Sequence, residues 1–357
     1  MSRLLVAAAL VWLGGCTADS PEAVLDDYLS RVENTLDVEL PRGDRLENAL
    51  PLPGKRHRRL PITDLRTGVL ETLDFRLCHL LPLIAERNSS LGRVMKPSTR
   101  LRYELRFFDG LSGCYLQDQA HPLKDEAFSA LLARIYQTKA DNLAHEVWNG
   151  IFTSESLEKN LSLSSPPLPL EGDTGHGDSV RALQALGAIQ TQVRAFEPGQ
   201  PFFLPPGLDT LETRYETLYH SEYGSKLFKS LALLTHYLDH TAATIEAALE
   251  RRPICFGGPT ERGRILKNVF SRYYAGRVQT YLSRVHRQGG PWIEQLRAMT
   301  HDTGLVLSAP LQHYLRQMVG KNNEEGLWGG FQKALRHHTQ AWQSVLKQCN
   351  LMPQAPT

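Results

Sequence analysis

From Arg264 to Val285 the apolar residues fall at intervals of three and four. Ile265, Leu266, Val269, Phe270, Tyr273, Tyr274, Val278, Tyr281, Leu282 and Val285 share one wide face, and Arg264, Lys267, Arg272, Gln279 and Arg284 take the other. That period belongs to a helix turned against a core, because the faces of a strand alternate at every residue. The same spacing recurs in Val24, Tyr28, Val32 and Leu36, and again in Leu101, Leu105, Phe108 and Leu111. It returns in Leu227, Leu231, Leu234, Leu238, Ile245 and Leu249, and in Leu327, Phe331, Leu335, His338, Trp342, Val345 and Cys349. Alternating β-branched runs are scarce, and no repeat period stands out. The expected class is all-α: a bundle-like or layered multi-helix body with little or no β-sheet.

The breaks between these patterns suggest the organisation. Residues 62–88 read as helical, and Pro97 with Ser98 opens the next helix. A further helix is expected from about Asp125 to Trp148, and another near Ser179–Ala195. Three prolines and three glycines between Ser162 and Asp178 mark the best internal boundary. They would join an N-terminal lobe (21–161) to a C-terminal lobe (179–350), followed by a tail (351–357). Asp209–Arg251 reads as one long or two abutting helices with Gly224 as a joint. Gly289-Gly290-Pro291 should stop a helix, with weaker ones following through Met318. The 357 residues are enough for a core that needs no metal to hold it.

The N-terminus carries an address. Ser2-Arg3 precedes an apolar run from Leu4 to Leu13, and Leu13-Gly14-Gly15-Cys16 follows. Ten apolar residues are too few to span a bilayer, which takes ~20, but suit the core of a signal peptide. The tetrapeptide reads as a lipobox: residues 1–15 are removed, Cys16 is acylated, and 16–20 form a tether. Thr17 stands where an inner-membrane lipoprotein often carries Asp. The expected location is therefore the inner leaflet of an outer membrane, facing the periplasm, with the lipid bilayer as first partner. The formal net charge is +2, so bulk electrostatics give no reason to bind nucleic acid.

With Cys16 assigned to the anchor, Cys78, Cys114, Cys255 and Cys349 remain. An even number in an oxidising compartment points to two disulfides. Cys78–Cys114 and Cys255–Cys349 are the favoured pairs, since the first two flank a helical turn and Cys349 closes the last helix.

Motifs for chemistry are few. H-E-x-x-H, the P-loop, G-x-G-x-x-G and G-x-S-x-G do not occur, and no cofactor is expected. Ser156…Lys159 and Ser344…Lys347 are S-x-x-K strings without companion motifs. His236 and His240 stand four apart, the helical spacing that lets two imidazoles share a metal, but a third ligand cannot be placed. The basic run Lys55–Arg59 reads as a solvated loop, or as a patch for anionic lipid or peptidoglycan. The most suggestive cluster is the polar turn Glu86-Arg87-Asn88-Ser89-Ser90-Leu91-Gly92-Arg93. Glu86, Arg87, Asn88, Ser89 and Arg93 can hold an anionic or amide-bearing ligand. The same residues also make a plain helix-ending turn, with Gly92 supplying a left-handed residue.

That turn also carries a resemblance. Together with Arg100-Leu101, Cys114, Arg252-Pro253-Ile254-Cys255, Asn268-Val269-Phe270, Tyr273-Tyr274, Val278–Leu282, His338, Trp342 and Cys349, it resembles a gammaproteobacterial lipoprotein family known as domain of unknown function family 3080. Ile254 stands where that pattern tends to have Leu, and Thr280 where it often has Pro. The resemblance spans roughly residues 20–350 and implies an envelope lipoprotein without implying a reaction. The expected function is a non-enzymatic binding or scaffold module for an envelope protein or glycan. The alternatives are an envelope hydrolase with a site assembled from distant residues, and a metal-binding lipoprotein using His236 and His240.

Overall fold

Ser20 opens the first helix with its own side chain. Its Oγ accepts the Ala23 N–H at 3.1 Å, and Pro21 follows at the first helical position. The computed structural model describes residues 20–352 apart from Asn48, Arg66 and Thr67. The signal peptide expected over residues 1–15 and the acylation expected at Cys16 lie outside the described residues.

The elements follow in order as α1 (Pro21–Leu36), α2 (Lys55–Arg58), α3 (Val69–Asp74), α4 (Leu81–Asn88), α5 (Ser90–Arg93), α6 (Pro97–Ala120), α7 (Glu126–Phe152) and α8 (Glu155–Leu161). Then come α9 (His176–Arg194), α10 (Leu211–Ser221), α11 (Tyr223–Arg251), α12 (Glu261–Val269), α13 (Gln279–Thr300), α14 (Ala309–Met318) and α15 (Gly326–Gln348). Among the described residues there is no strand, and the class is all-α as expected. Helix α11 is the central member: α15 is its most extensive partner, and α1, α8 and α13 also pack on it. Helices α6 and α7 form a hairpin, and α9 packs on α7, α10 and α13.

The stretch 162–178 is bound to the body by serine side chains. Ser225 Oγ accepts the Ser165 N–H at 3.1 Å, and Ser230 Oγ accepts the Leu168 N–H at 2.9 Å. An extended, proline-rich segment cannot pair its amides internally, so α11 supplies the acceptors. Leu168 is fully buried, and apolar residues on both sides of the stretch belong to one core cluster.

Several boundaries differ from the periodic reading, each for a steric reason. Residues 62–88 are not one helix. His79 takes a left-handed φ of 56°, and Pro82 sits in the first turn of α4, where its missing N–H costs nothing. The joint between α10 and α11 is Glu222, at φ 48°. Gly224 serves close packing instead: a Cβ there would lie 2.3 Å from the Trp292 ring. Helix α13 runs through Gly289-Gly290-Pro291 without stopping. A Cβ on Gly289 would come within 2.9 Å of Leu227 and Trp328, so this glycine admits two neighbours rather than ending a helix.

The disulfides join Cys78 to Cys114 and Cys255 to Cys349. The second closes a separation of 94 residues and ties the loop after α11 to the end of α15. A Cys255→Ser/Cys349→Ser double variant is expected to lose about 2–4 kcal/mol. The check is the urea midpoint under non-reducing conditions; a midpoint equal to wild type would show that this crosslink constrains nothing.

Candidate functional site

The Glu86–Arg93 turn is built by one serine. Ser89 ends α4 in an extended conformation and caps α5, its Oγ accepting the Gly92 N–H at 3.0 Å and donating to the Glu86 carbonyl at 2.7 Å. Gly92 is required here for space and not for handedness. It is absent from the residues with positive φ, but a Cβ would stand 2.1 Å from the Glu86 carbonyl oxygen and 2.5 Å from that of Arg87. The left-handed role expected for it is thus replaced by close backbone approach. Arg87 Nη1 donates to the Gly92 carbonyl at 2.6 Å and draws α5 back against α4. Because the clashing atoms are backbone, Gly92→Ala should cost about 1–3 kcal/mol. A thermal midpoint unchanged from wild type would contradict that packing.

The turn forms one wall of a cleft of about 790 Å³. Arg87, Asn88 and Arg93 face it, whereas Glu86 and Ser89 do not. The candidate cluster therefore splits into three cleft residues, a capping serine and an exposed glutamate. The floor comes from α6 and α7. Arg100, Tyr103, Glu104 and Phe107 repeat at three and four on α6, which puts them on one face. Ile135, Lys139 and Glu146 face them from α7. The opposite wall is the extended segment after Leu60, clamped by two asparagines of α7. Asn142 pairs with both backbone groups of Thr63 (3.0 and 2.8 Å), and Asn149 does the same for Leu60 (2.7 and 2.9 Å). Each side-chain amide replaces a missing strand partner.

The floor charges are neutralised internally. Glu104 and Glu146 are both 4% exposed. Arg100 forks onto Glu146 (Nε 3.2 Å, Nη2 2.7 Å), and Lys139 Nζ lies 2.6 Å from Glu104. Burial, and then the negative charge of Glu104, push the Tyr103 phenol up, so it remains a neutral donor. Arg87 and Arg93 keep uncommitted N–H groups at the mouth, and Asn88 adds an amide. Leu73, Phe75, Ile84 and Phe107 add apolar surface, and Thr63, Asp64 and Thr72 complete a mixed lining in which Asp64 is a further carboxylate. Such a cleft can hold an anionic group at its mouth and an apolar portion inside. The sequence reading had found the turn. It does not reach Glu104, Lys139 and Glu146 as cleft residues; for Glu104 the signal is the polar stripe beside the Leu101–Leu111 face of α6, and for Lys139 and Glu146 of α7 there is none in that stripe.

The histidine pair lies elsewhere, in a cleft of about 750 Å³ between α11, α15 and the loop after α1. The ring centroids of His236 and His240 are 6.0 Å apart, and His240 Nε2 faces Glu33 Oε1 at 3.4 Å. Arg42 already occupies the other Glu33 oxygen at 2.6 Å. Among the described residues no three His, Cys, Asp or Glu side chains are grouped to hold a metal ion, so the structure adds no third ligand to the expected pair. His337 stands between two carboxylates, Asp239 at 3.0 Å and Glu246 at 3.1 Å, which raise its pKa against burial.

A family profile described as "Protein of unknown function (DUF3080)" matches residues 25–353. This chain belongs to that family. No curated protein and no solved structure matches it. The family match begins in α1 and ends beyond α15, so it takes in every element that builds the cleft.

Proposed function

We propose that this member of the family is a lipid-anchored, non-catalytic binding module of the cell envelope. In this reading the cleft beside α5 receives an acidic, partly apolar group of an envelope partner. One observation carries it: Arg87 and Arg93 present free donors at the mouth of a cleft whose deeper charges are already paired. A buried pair on the floor keeps its own geometry, so an incoming anion meets the mouth arginines first. The lipobox supports the anchoring half. From Cys16 to Ser20 the chain reaches at most about 14 Å, so acylation would hold α1 close to the membrane surface. Among the described residues no helix is long and apolar enough to cross a membrane, which leaves the acyl chains as the attachment in this reading.

The two halves are tested separately. Cys16→Ala should abolish palmitate labelling and release the protein from membranes; unchanged fractionation would refute the anchor. For the cleft, a photoreactive residue at Asn88 should capture one recurrent partner in intact cells at native expression. Arg87→Ala/Arg93→Ala should weaken that capture about 10- to 100-fold, the loss expected when charged hydrogen bonds are removed. Capture that is absent, or equal in the double variant, would sink the binding reading.

A further inference from the structure

The loop after α11 holds an aromatic side chain out into solvent. Cys255 is 4% exposed, and Phe256, the next residue, is 73% exposed. The base of the loop is fixed. Cys255 is joined to Cys349, and Gln348 Oε1 accepts the Ile254 and Cys255 N–H groups at 2.7 and 3.2 Å. Thr260 Oγ1 donates to the Ile254 carbonyl at 3.1 Å. Gly257 and Gly258 then take φ of 68° and 156°, which glycine accepts, and a Cβ on either would meet no atom within 4 Å. The turn therefore runs through open space, and Phe256 stands out from a pinned base.

Phe256 edges a cleft of about 470 Å³ where the C-terminal ends of α1 and α11 meet. Arg251, Arg252 and Arg262 line it, and Asp37 is the one carboxylate in the lining. Glu250 and Glu261 adjoin these arginines in sequence but do not line the cleft. Arg251 Nη1 donates to the Asp37 carbonyl at 3.3 Å. Among the described residues no carboxylate forms an ion pair with any of the three arginines, and the side chains of Arg252 and Arg262 make no hydrogen bond. Neither guanidinium has a structural partner to hold, although Arg252 is exposed and Arg262 half-buried.

We propose that this cleft and Phe256 form a contact with an anionic lipid surface. The arginines receive headgroup phosphates, which match the paired donors of a guanidinium, and the ring leaves water for the interface beneath them. A soluble anion would engage the arginines but would leave the outward ring in water, so the pairing of ring and charge favours a bilayer. The position fits. Leu36, Asp37 and Val38 place the cleft at the end of α1 opposite Ser20. The 16 residues of α1 span about 24 Å. An acyl anchor at one end and this contact at the other would lay α1 along the bilayer. One acyl chain alone anchors marginally, and a basic patch is an effective second signal. The inference rests on the proposed envelope location for access to a membrane, and its site is separate from the Arg87–Arg93 cleft.

Vesicle co-sedimentation of the full mature chain carrying Cys16→Ala tests the contact by itself, because no acyl group takes part and failure of the anchor cannot alter the result. Phosphatidylcholine vesicles containing about one-third phosphatidylglycerol should bind the protein, and phosphatidylcholine alone should bind it about tenfold more weakly. Arg252→Gln/Arg262→Gln should weaken binding to the anionic vesicles about 25-fold, the product of about fivefold for each arginine. Phe256→Ala should weaken it about tenfold. Phe203→Ala removes a ring that is 70% exposed on the loop after α9, and it should bind as wild type. Several results would each overturn the proposal: no binding to the anionic vesicles, equal binding to both kinds, wild-type binding by Phe256→Ala or by the double variant, or an equal loss in Phe203→Ala. Displacement from the vesicles by inorganic phosphate at constant ionic strength would overturn it too, assigning the cleft to a free anion.

Discussion

Arg58→Ala is expected to destabilise the fold by about 3–5 kcal/mol, because one buried and one part-buried carbonyl lose their donor and a long side chain leaves a void. Arg58 belongs to the basic run Lys55–Arg59, which reads as a solvated loop or a surface patch. The structure separates its members. Arg58 is 2% exposed, whereas Lys55, Arg56 and Arg59 are on the surface. Its Nε donates to the Pro53 carbonyl and its Nη1 to the Phe152 carbonyl, both at 2.9 Å, and Nη2 meets Glu158 at 2.5 Å. Its own carbonyl accepts the Trp148 indole N–H at 2.9 Å. One guanidinium thus ties the loop before α2 to the junction of α7 and α8. Glu158 is half exposed, so its charge remains hydrated in the variant, and the loss falls on the carbonyls and the packing. Arg56→Ala and Arg59→Ala should stay within about 0.5 kcal/mol of wild type. Urea unfolding of the three variants decides the matter; equal shifts would mean that the burial of Arg58 is not what holds this corner.

Acid should unfold this protein partly through His338. Its folded pKa is lowered to about 3 by burial and then by the neighbouring charge of His337, while an unfolded histidine titrates near 6.5. Below about pH 6.5 the unfolded chain takes up a proton that the folded chain refuses, so stability falls as pH drops. The slope from this group is about 1.4 kcal/mol per pH unit, continuing until the folded imidazole protonates near pH 3. Burial also lowers His176, His236 and His301, which act in the same direction. His337 opposes them, because its raised pKa makes its bonds to Asp239 and Glu246 fully effective in acid and weaker as pH rises. A His338→Gln variant isolates the contribution: less stable at pH 7, it should lose less per pH unit between pH 6 and 4. Parallel curves for variant and wild type would assign the acid sensitivity to other groups.

The helical stripes were legible because burial on a helix follows a local period. Leu101, Leu105, Phe108 and Leu111 are all at most 1% exposed, and Val24, Tyr28, Val32 and Leu36 line the inner face of α1. His338 was legible in the same way, as a core histidine on the Trp342 face, and it is hydrogen-bonded there. The glycines were not. Gly92, Gly224 and Gly289 each admit an atom from another turn or helix, and a sequence does not say which atom arrives. Asn142 and Asn149 were equally silent, since a side-chain amide that mimics a strand looks like any polar residue on a helix.

The polar turn shows where local reading stops. Ser89 as a cap and Arg87, Asn88 and Arg93 as available donors follow from residue type and spacing. That Arg87 and Arg93 face a cleft, while Glu86 does not, depends on how α4 docks against α6 and α7. The sequence alone determined the all-α class and the set of four cysteines beyond Cys16, because each rests on spacing along the chain. The tertiary structure alone decided that Arg58 is buried, that His240 faces Glu33, and that a small cavity without charged lining forms beside His338. Those outcomes join residues up to hundreds of positions apart, such as Tyr28 and Trp342, and the order of residues does not encode such distances until the helices have packed.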